Sequence, residues 1–216
     1  MQRRRIIGGL AALGVTSVTA RLAAAAALAA TPAQGRGPFY PLDLPLDRDN
    51  DLVHVAGRSG TATGTIIDVY GQLRDDAGRP LPGVQLEIWQ VNGYGRYHHP
   101  GDGQDLPWDP DFQGFGRTVS DAQGGYRFRT VRPVAYPGRA PHIHFALSDS
   151  RFATFYTQMY LAGAPENAGD FLLRSVRDRE ARESLVVALQ PSGVEGAELA
   201  GRFDIVLGRT LLSRRP

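Results

Sequence analysis

Tyr136-Pro137-Gly138-Arg139-Ala140-Pro141-His142-Ile143-His144-Phe145 is the stretch on which the reading of this chain turns. Prolines and a glycine make its first half a stiff turn. Its second half alternates. In a strand successive side chains point to opposite faces, so His142 and His144 share one face while Ile143 and Phe145 share the other. That pattern puts one side of the strand in an apolar core and leaves two imidazoles together on the far side. A His-x-His pair alone fits a polar strand face as well as half of a metal site.

The same period of two recurs around this segment. Ile67, Val69 and Gly71 alternate with Asp68, Tyr70 and Gln72. Val84, Leu86 and Ile88 alternate with Gln85 and Glu87, which reads as a half-buried strand with one wet face. Tyr126, Phe128 and Thr130 alternate with Arg127 and Arg129, Phe155–Tyr160 follows the histidines, and Phe203–Leu207 reads as a closing strand. Asp75-Asp76-Ala77-Gly78, Leu81-Pro82-Gly83 and Ser120–Gly125 supply turn chemistry between them. Short strands with regular turns predict an all-β fold, an antiparallel β-sandwich. Residues 31–63, rich in Pro, Gly and Asp, read as an extended N-terminal arm wrapped on it. One short peripheral helix is expected from Asp170 to about Arg182, with Phe171, Leu172, Leu173 and Val176 on its apolar side and a solvated charged face.

A chain of 216 residues can bury a full core as one domain. Arg3-Arg4-Arg5 followed by an apolar run reads as an export signal over residues 1–29, of the twin-arginine type, with Ala27-Leu28-Ala29 or Val18-Thr19-Ala20 as the cleavage site. The domain is then residues 30–216, exported to the periplasm or secreted. Removing that leader takes away Arg3, Arg4, Arg5 and Arg21 and no acid, so the formal charge falls from +2 to −2. A slightly acidic body has no electrostatic footprint for nucleic acid, and no long apolar segment in it suggests a membrane span. There is no cysteine, which excludes thiolate-ligated zinc and iron–sulfur clusters. All basic residues are arginine, a habit of composition rather than a function.

Three further motifs carry chemistry: Gly37-Pro38-Phe39-Tyr40-Pro41, Gly95-Arg96-Tyr97-His98-His99-Pro100 and Thr157-Gln158-Met159-Tyr160. Taken singly, Tyr97 could be a loop aromatic, Tyr136 a tyrosine packed in a turn and Arg139 a surface arginine. His98 and His99 compete with the tyrosines as ligands, because imidazole is the commoner one. Together and in this order, the motifs resemble the intradiol ring-cleavage dioxygenases, the family that holds protocatechuate 3,4-dioxygenase and catechol 1,2-dioxygenase. The resemblance runs from about Thr31 to the C-terminus.

The resemblance implies one mononuclear non-haem Fe(III) per chain, held by Tyr97, Tyr136, His142 and His144, with His98 and His99 outside the pattern. Hard phenolate donors favour the ferric state, and the ion in turn lowers the phenol pKa. The implied partners are a small aromatic diol and O2, and the implied product is a cis,cis-muconate type diacid. Tyr136 is then the tyrosinate that leaves as substrate binds. Arg139 would stabilise negative charge developing on the ring, and Gln158 would hydrogen-bond near the oxygen site. Two departures stand out. Only five residues separate Tyr136 from His142, which implies an open site. No counterpart of the helical N-terminal domain of the catechol 1,2-dioxygenases is recognisable, which places the chain with short protocatechuate-dioxygenase-like forms. Exact substrate and oligomeric assembly stay open. Two rival readings remain: a non-enzymatic transthyretin-like binding sandwich, suggested by the Val69–Ile88 hairpin, and a copper or zinc site using His98, His99, His142 and His144.

Overall fold

The computed structural model describes residues 27–208. The expected leader lies outside the described residues, except for Ala27–Ala29, which are exposed and in neither helix nor strand. The order of elements is β1 (Ile66–Asp75), β2 (Gln85–Trp89), β3 (Phe115–Val119), β4 (Gly125–Val131), β5 (His142–Asp149), β6 (Phe152–Leu161), α1 (Phe171–Ser175), α2 (Arg179–Glu183), β7 (Val186–Val187), β8 (Gln190–Pro191), β9 (Leu199–Arg202) and β10 (Ile205–Leu207).

Two sheets face each other. One is centred on β1, with β4 along one edge, β9 and β10 in tandem along the other, and β8 outside β9. The second runs β3-β2-β5-β6-β7. The alternation seen in the sequence fills the space between them. Ile67, Val69, Leu86, Ile88, Phe128, Ile143 and Phe145 are all fully buried, and the Phe145 ring meets those of Tyr126, Phe128 and Phe203. The β-sandwich is therefore as expected, but its sheets are mixed rather than wholly antiparallel. β9 and β10 run parallel to β1, and β7 runs parallel to β6.

The arm joins the two sheets at their shared edge. Arg117 of β3 donates its N–H to the carbonyls of Arg48 and Asp49, while Arg129 of β4 donates to Asn50 and Leu52 donates back to Arg129. This gives partners to two edge strands that would otherwise be exposed. It also corrects the wet face expected for β2. Glu87 is only 7% exposed, because Arg117 and the Tyr40 hydroxyl of the arm both donate to its carboxylate.

The single helix expected from Asp170 to about Arg182 is two. Val176 leaves α1 in an extended conformation, and Asp178 caps α2 afresh by accepting from the Ala181 N–H. A 3-10 turn, Pro165–Ala168, precedes α1. Among the described residues no helix is long and apolar enough to cross a membrane.

Candidate metal centre

His142 and His144 lie on the outer face of the second sheet, away from the sandwich core, yet they are only 1% and 2% exposed. Strand pairing builds their surroundings. Trp89 of β2 stands opposite His144, and their rings stack at 4.8 Å. From β6, Gln158 stands opposite His144 and Tyr160 opposite His142. The arm roofs the pair. Gly37 adopts φ +74°, and a Cβ there would sit 3.1 Å from His144 Cε1. Only glycine lets the backbone come this close in that conformation.

Tyr136-Pro137-Gly138-Arg139 is a β-turn with Pro at the second position and Gly138, φ +79°, at the third, the arrangement of a type II turn. Arg139 N–H donates to Tyr136 O at 2.9 Å, and Tyr136 N–H donates back to Arg139 O at 3.3 Å. Closing the turn places the two end side chains together, with Arg139 Nη1 3.5 Å from the Tyr136 hydroxyl. Tyr97 comes from a separate loop. The Asn92 side chain accepts the N–H groups of Tyr94 and Arg96, and Asp102 accepts the N–H of Tyr97 at 2.7 Å. Phe39 of the arm stacks on the Tyr97 ring at 4.6 Å.

These pieces converge. The Tyr97 hydroxyl is 3.4 Å from His142 Nε2 and 3.2 Å from His144 Nε2, and the two Nε2 atoms are 3.1 Å apart. The Tyr136 ring stands edge-on to Tyr97, centroids 5.6 Å apart. His142 Nδ1 lies 2.6 Å from the Ala140 carbonyl, so it carries the proton and leaves the Nε2 lone pair aimed at the shared point, as in metal-bound histidines. His144 Nδ1 is buried without a partner.

Burial holds both imidazoles neutral. It pushes His142 down to about 3, aided by Arg139, and His144 well below its ordinary value. The phenols move the other way. Burial, then the neighbouring Tyr136, puts Tyr97 well above its usual range. Burial also raises Tyr136, against the opposing hydrogen bond from Tyr97 and the charge of Arg139. Neutral imidazole lone pairs and phenols that ionise only beside a cation are a donor set that fits a hard, highly charged ion such as Fe(III). Among the described residues no group of three or more His, Cys, Asp or Glu could hold a metal, so the centre depends on its tyrosines.

The copper or zinc reading fails on the same geometry. His98 stacks on Trp108 at 3.8 Å, and His99 Nδ1 accepts the Gly101 N–H. Neither joins His142 and His144. Gln158 stands opposite His144, and Arg139 lies beside Tyr136. Arg139 Nη2 donates to Gln158 Oε1 at 2.6 Å and reaches the Tyr160 hydroxyl at 3.3 Å. Sequence reading missed Asp170, whose carboxylate accepts from Arg139 Nε at 2.9 Å. It also missed Trp89 and gave Tyr160 no role, though cross-strand register places both beside the histidines. The position of Asp170 at a helix start was legible, but not its reach to Arg139. A cavity of about 250 Å³ opens beside Tyr136, Gly138, Arg139 and Asp170, and another of about 220 Å³ lies between Phe39, Tyr97 and Trp108.

Known dioxygenases resemble this chain in sequence and fold. The family model described as dioxygenase matches residues 36–209. The beta chain of protocatechuate 3,4-dioxygenase from Burkholderia cepacia is 40% identical over 168 residues, 74% of this chain and 71% of that protein. Catechol 1,2-dioxygenase from Pseudomonas sp. (strain EST1001) is 31% identical over 83% of this chain, which spans 64% of that enzyme's length. Among solved structures, the dioxygenase domain of a dioxygenase carbohydrate-binding protein fusion from Streptomyces sp. SirexAA-E matches with a TM-score of 0.64 at 29% identity, covering 83% of this chain and 99% of that one. An intradiol ring-cleavage dioxygenase from Tetranychus urticae shares the fold, with a TM-score of 0.65 at 20% identity, over 84% of this chain and 95% of its own.

Proposed function

This chain belongs to the intradiol ring-cleavage dioxygenase family, and from that membership and the geometry of its centre we propose that it cleaves a catechol-type aromatic diol with O2. The bond broken joins the two hydroxyl-bearing carbons. Each becomes a carboxyl carbon, so both atoms of O2 enter a cis,cis-muconate type diacid and no external reductant is needed. One observation carries the proposal: Tyr97 from one loop and His142 and His144 from β5 bring their donor atoms within 3.1–3.4 Å of one another, with Tyr136 alongside. A plain binding sandwich has no need of that convergence.

Tyr97, Tyr136, His142 and His144 would hold one Fe(III) per chain. Bound there, the ion supplies a Lewis-acidic, electron-accepting centre for the diol oxygens. The residues divide the remaining work. Tyr97 is 2% exposed and pinned by Phe39, so it stays in place. Tyr136 is partly exposed and borders a cavity, so it can swing away and take a diol proton on its own phenolate oxygen. Arg139 stands beside that oxygen as a fixed positive charge and stabilises anionic oxygen or ring carbon without reorganising. Gln158 holds the guanidinium and is itself held by the Gly35 carbonyl. Trp89, Phe39 and the Gly37 backbone keep water from the buried side.

The test is oxygen uptake over a panel of diols: catechol, protocatechuate, hydroxyquinol and lignin-derived aryl diols. One O2 consumed per diol, with both atoms of labelled O2 in the diacid, is the expected result. No uptake with any diol by iron-loaded protein would return the binding sandwich to first place.

A further inference from the structure

Asp170 is 1% exposed, and its carboxylate meets four donors. One oxygen, Oδ1, accepts the N–H groups of Leu172 at 3.0 Å and Leu173 at 2.9 Å, capping α1. The other, Oδ2, accepts Arg139 Nε at 2.9 Å and the Ala140 N–H at 3.0 Å. Ala140 in turn offers its carbonyl to His142 Nδ1. One side chain therefore ties a helix start to the turn carrying Tyr136 and Arg139, and to the residue that orients His142.

We infer that Asp170 is a positioning residue for the reaction, fixing the Arg139 guanidinium beside Tyr136 and setting the path of the chain from that turn to His142. A cap alone would need only Oδ1. Asp178 shows the simpler case: it caps α2 by accepting from the Ala181 N–H. With its Nε held by Asp170, Arg139 can turn Nη1 to Tyr136 and Nη2 to Gln158 and Tyr160. Without the carboxylate, the guanidinium keeps its charge but loses its fixed direction. The loss then falls on the turnover step, where Arg139 acts, more than on the affinity for the diol.

Asp170→Asn, Asp170→Ala and the control Asp178→Ala separate positioning from capping. The activity arm rests on the dioxygenase reading. There, both Asp170 variants should lose kcat by about 10–100-fold, the usual effect of removing a group that orients a reacting side chain, with KM changed much less. Combining Asp170→Asn with Arg139→Gln should add little to Arg139→Gln alone. Asp178→Ala should lower thermal stability with kcat unchanged. The second arm needs no activity. In iron-free protein, amide exchange at Ala140 should quicken at least about tenfold in Asp170→Ala, through loss of its acceptor. The inference is overturned if kcat in both Asp170 variants matches wild type, or if Ala140 stays protected in Asp170→Ala. If wild type turns over no diol, the dioxygenase reading fails and the exchange arm still decides the role of Asp170.

Discussion

Tyr97 and Tyr136 are the same side chain in unlike settings, and the difference assigns them different work. Tyr97 is locked under Phe39, its own N–H held by Asp102. Tyr136 stands partly exposed on a closed Pro-Gly turn beside a charged arginine. Tyr136→Phe should therefore keep part of the ferric tyrosinate colour and bind a catechol slowly, because the base for its second proton is gone; losses of this kind run to about 10²–10⁴-fold. Tyr97→Phe should change the colour before substrate is added. Stopped-flow mixing with a catechol checks both, and a fast Tyr136→Phe beside a slow Tyr97→Phe would reverse the roles. Gly37 offers a second test. Alanine at φ +74° costs about 1–2 kcal/mol, and its Cβ would press on His144. Gly37→Ala should melt at lower temperature and shift the visible absorption, and an unshifted spectrum would detach the arm from the centre. At this scale much was legible. A period of two put both imidazoles on one face from sequence alone. The choice of Tyr97 over His98 and His99 came only through the family resemblance: local pattern cannot show that the His98 ring would turn to Trp108.

Among the elements, the strands followed their alternation, while the covering of their polar faces did not. Asp68 and Glu87 look like solvent positions, yet Arg127 and Arg117 with the arm bury them. What an irregular arm lies against has no periodic signal. Strand direction has none either, so the parallel return of β9 and β10 along β1 was invisible. The break between α1 and α2 did leave a mark, because both Asp170 and Asp178 are capping residues. A continuous run of charged side chains hid the second start. The arm is load-sharing rather than decorative, since Leu52 within it is fully buried in the core. Leu52→Ala should cost about 2–5 kcal/mol in urea unfolding. A loss under 1 kcal/mol would mean that the arm packs without contributing to the fold.

For the whole molecule, the sandwich acts as a frame whose outer face carries the chemistry. A core between the sheets fixes β5, and the arm, two loops and α1 close over its far side. We propose export by the twin-arginine route, which carries folded cargo, on the basis of Arg3-Arg4 before an apolar run. Arg3→Gln with Arg4→Gln should leave the protein inside the cell with its leader attached, and an unchanged exported yield would reject the route. The central claim is the four-residue ferric centre. Its most direct test is a titration of iron-free protein with Fe(III), followed by visible absorption. The account predicts a tyrosinate-to-iron band that rises to a plateau at one iron per chain and is absent from a Tyr97→Phe, Tyr136→Phe double variant. Iron bound without colour, or the same band in the double variant, would contradict it.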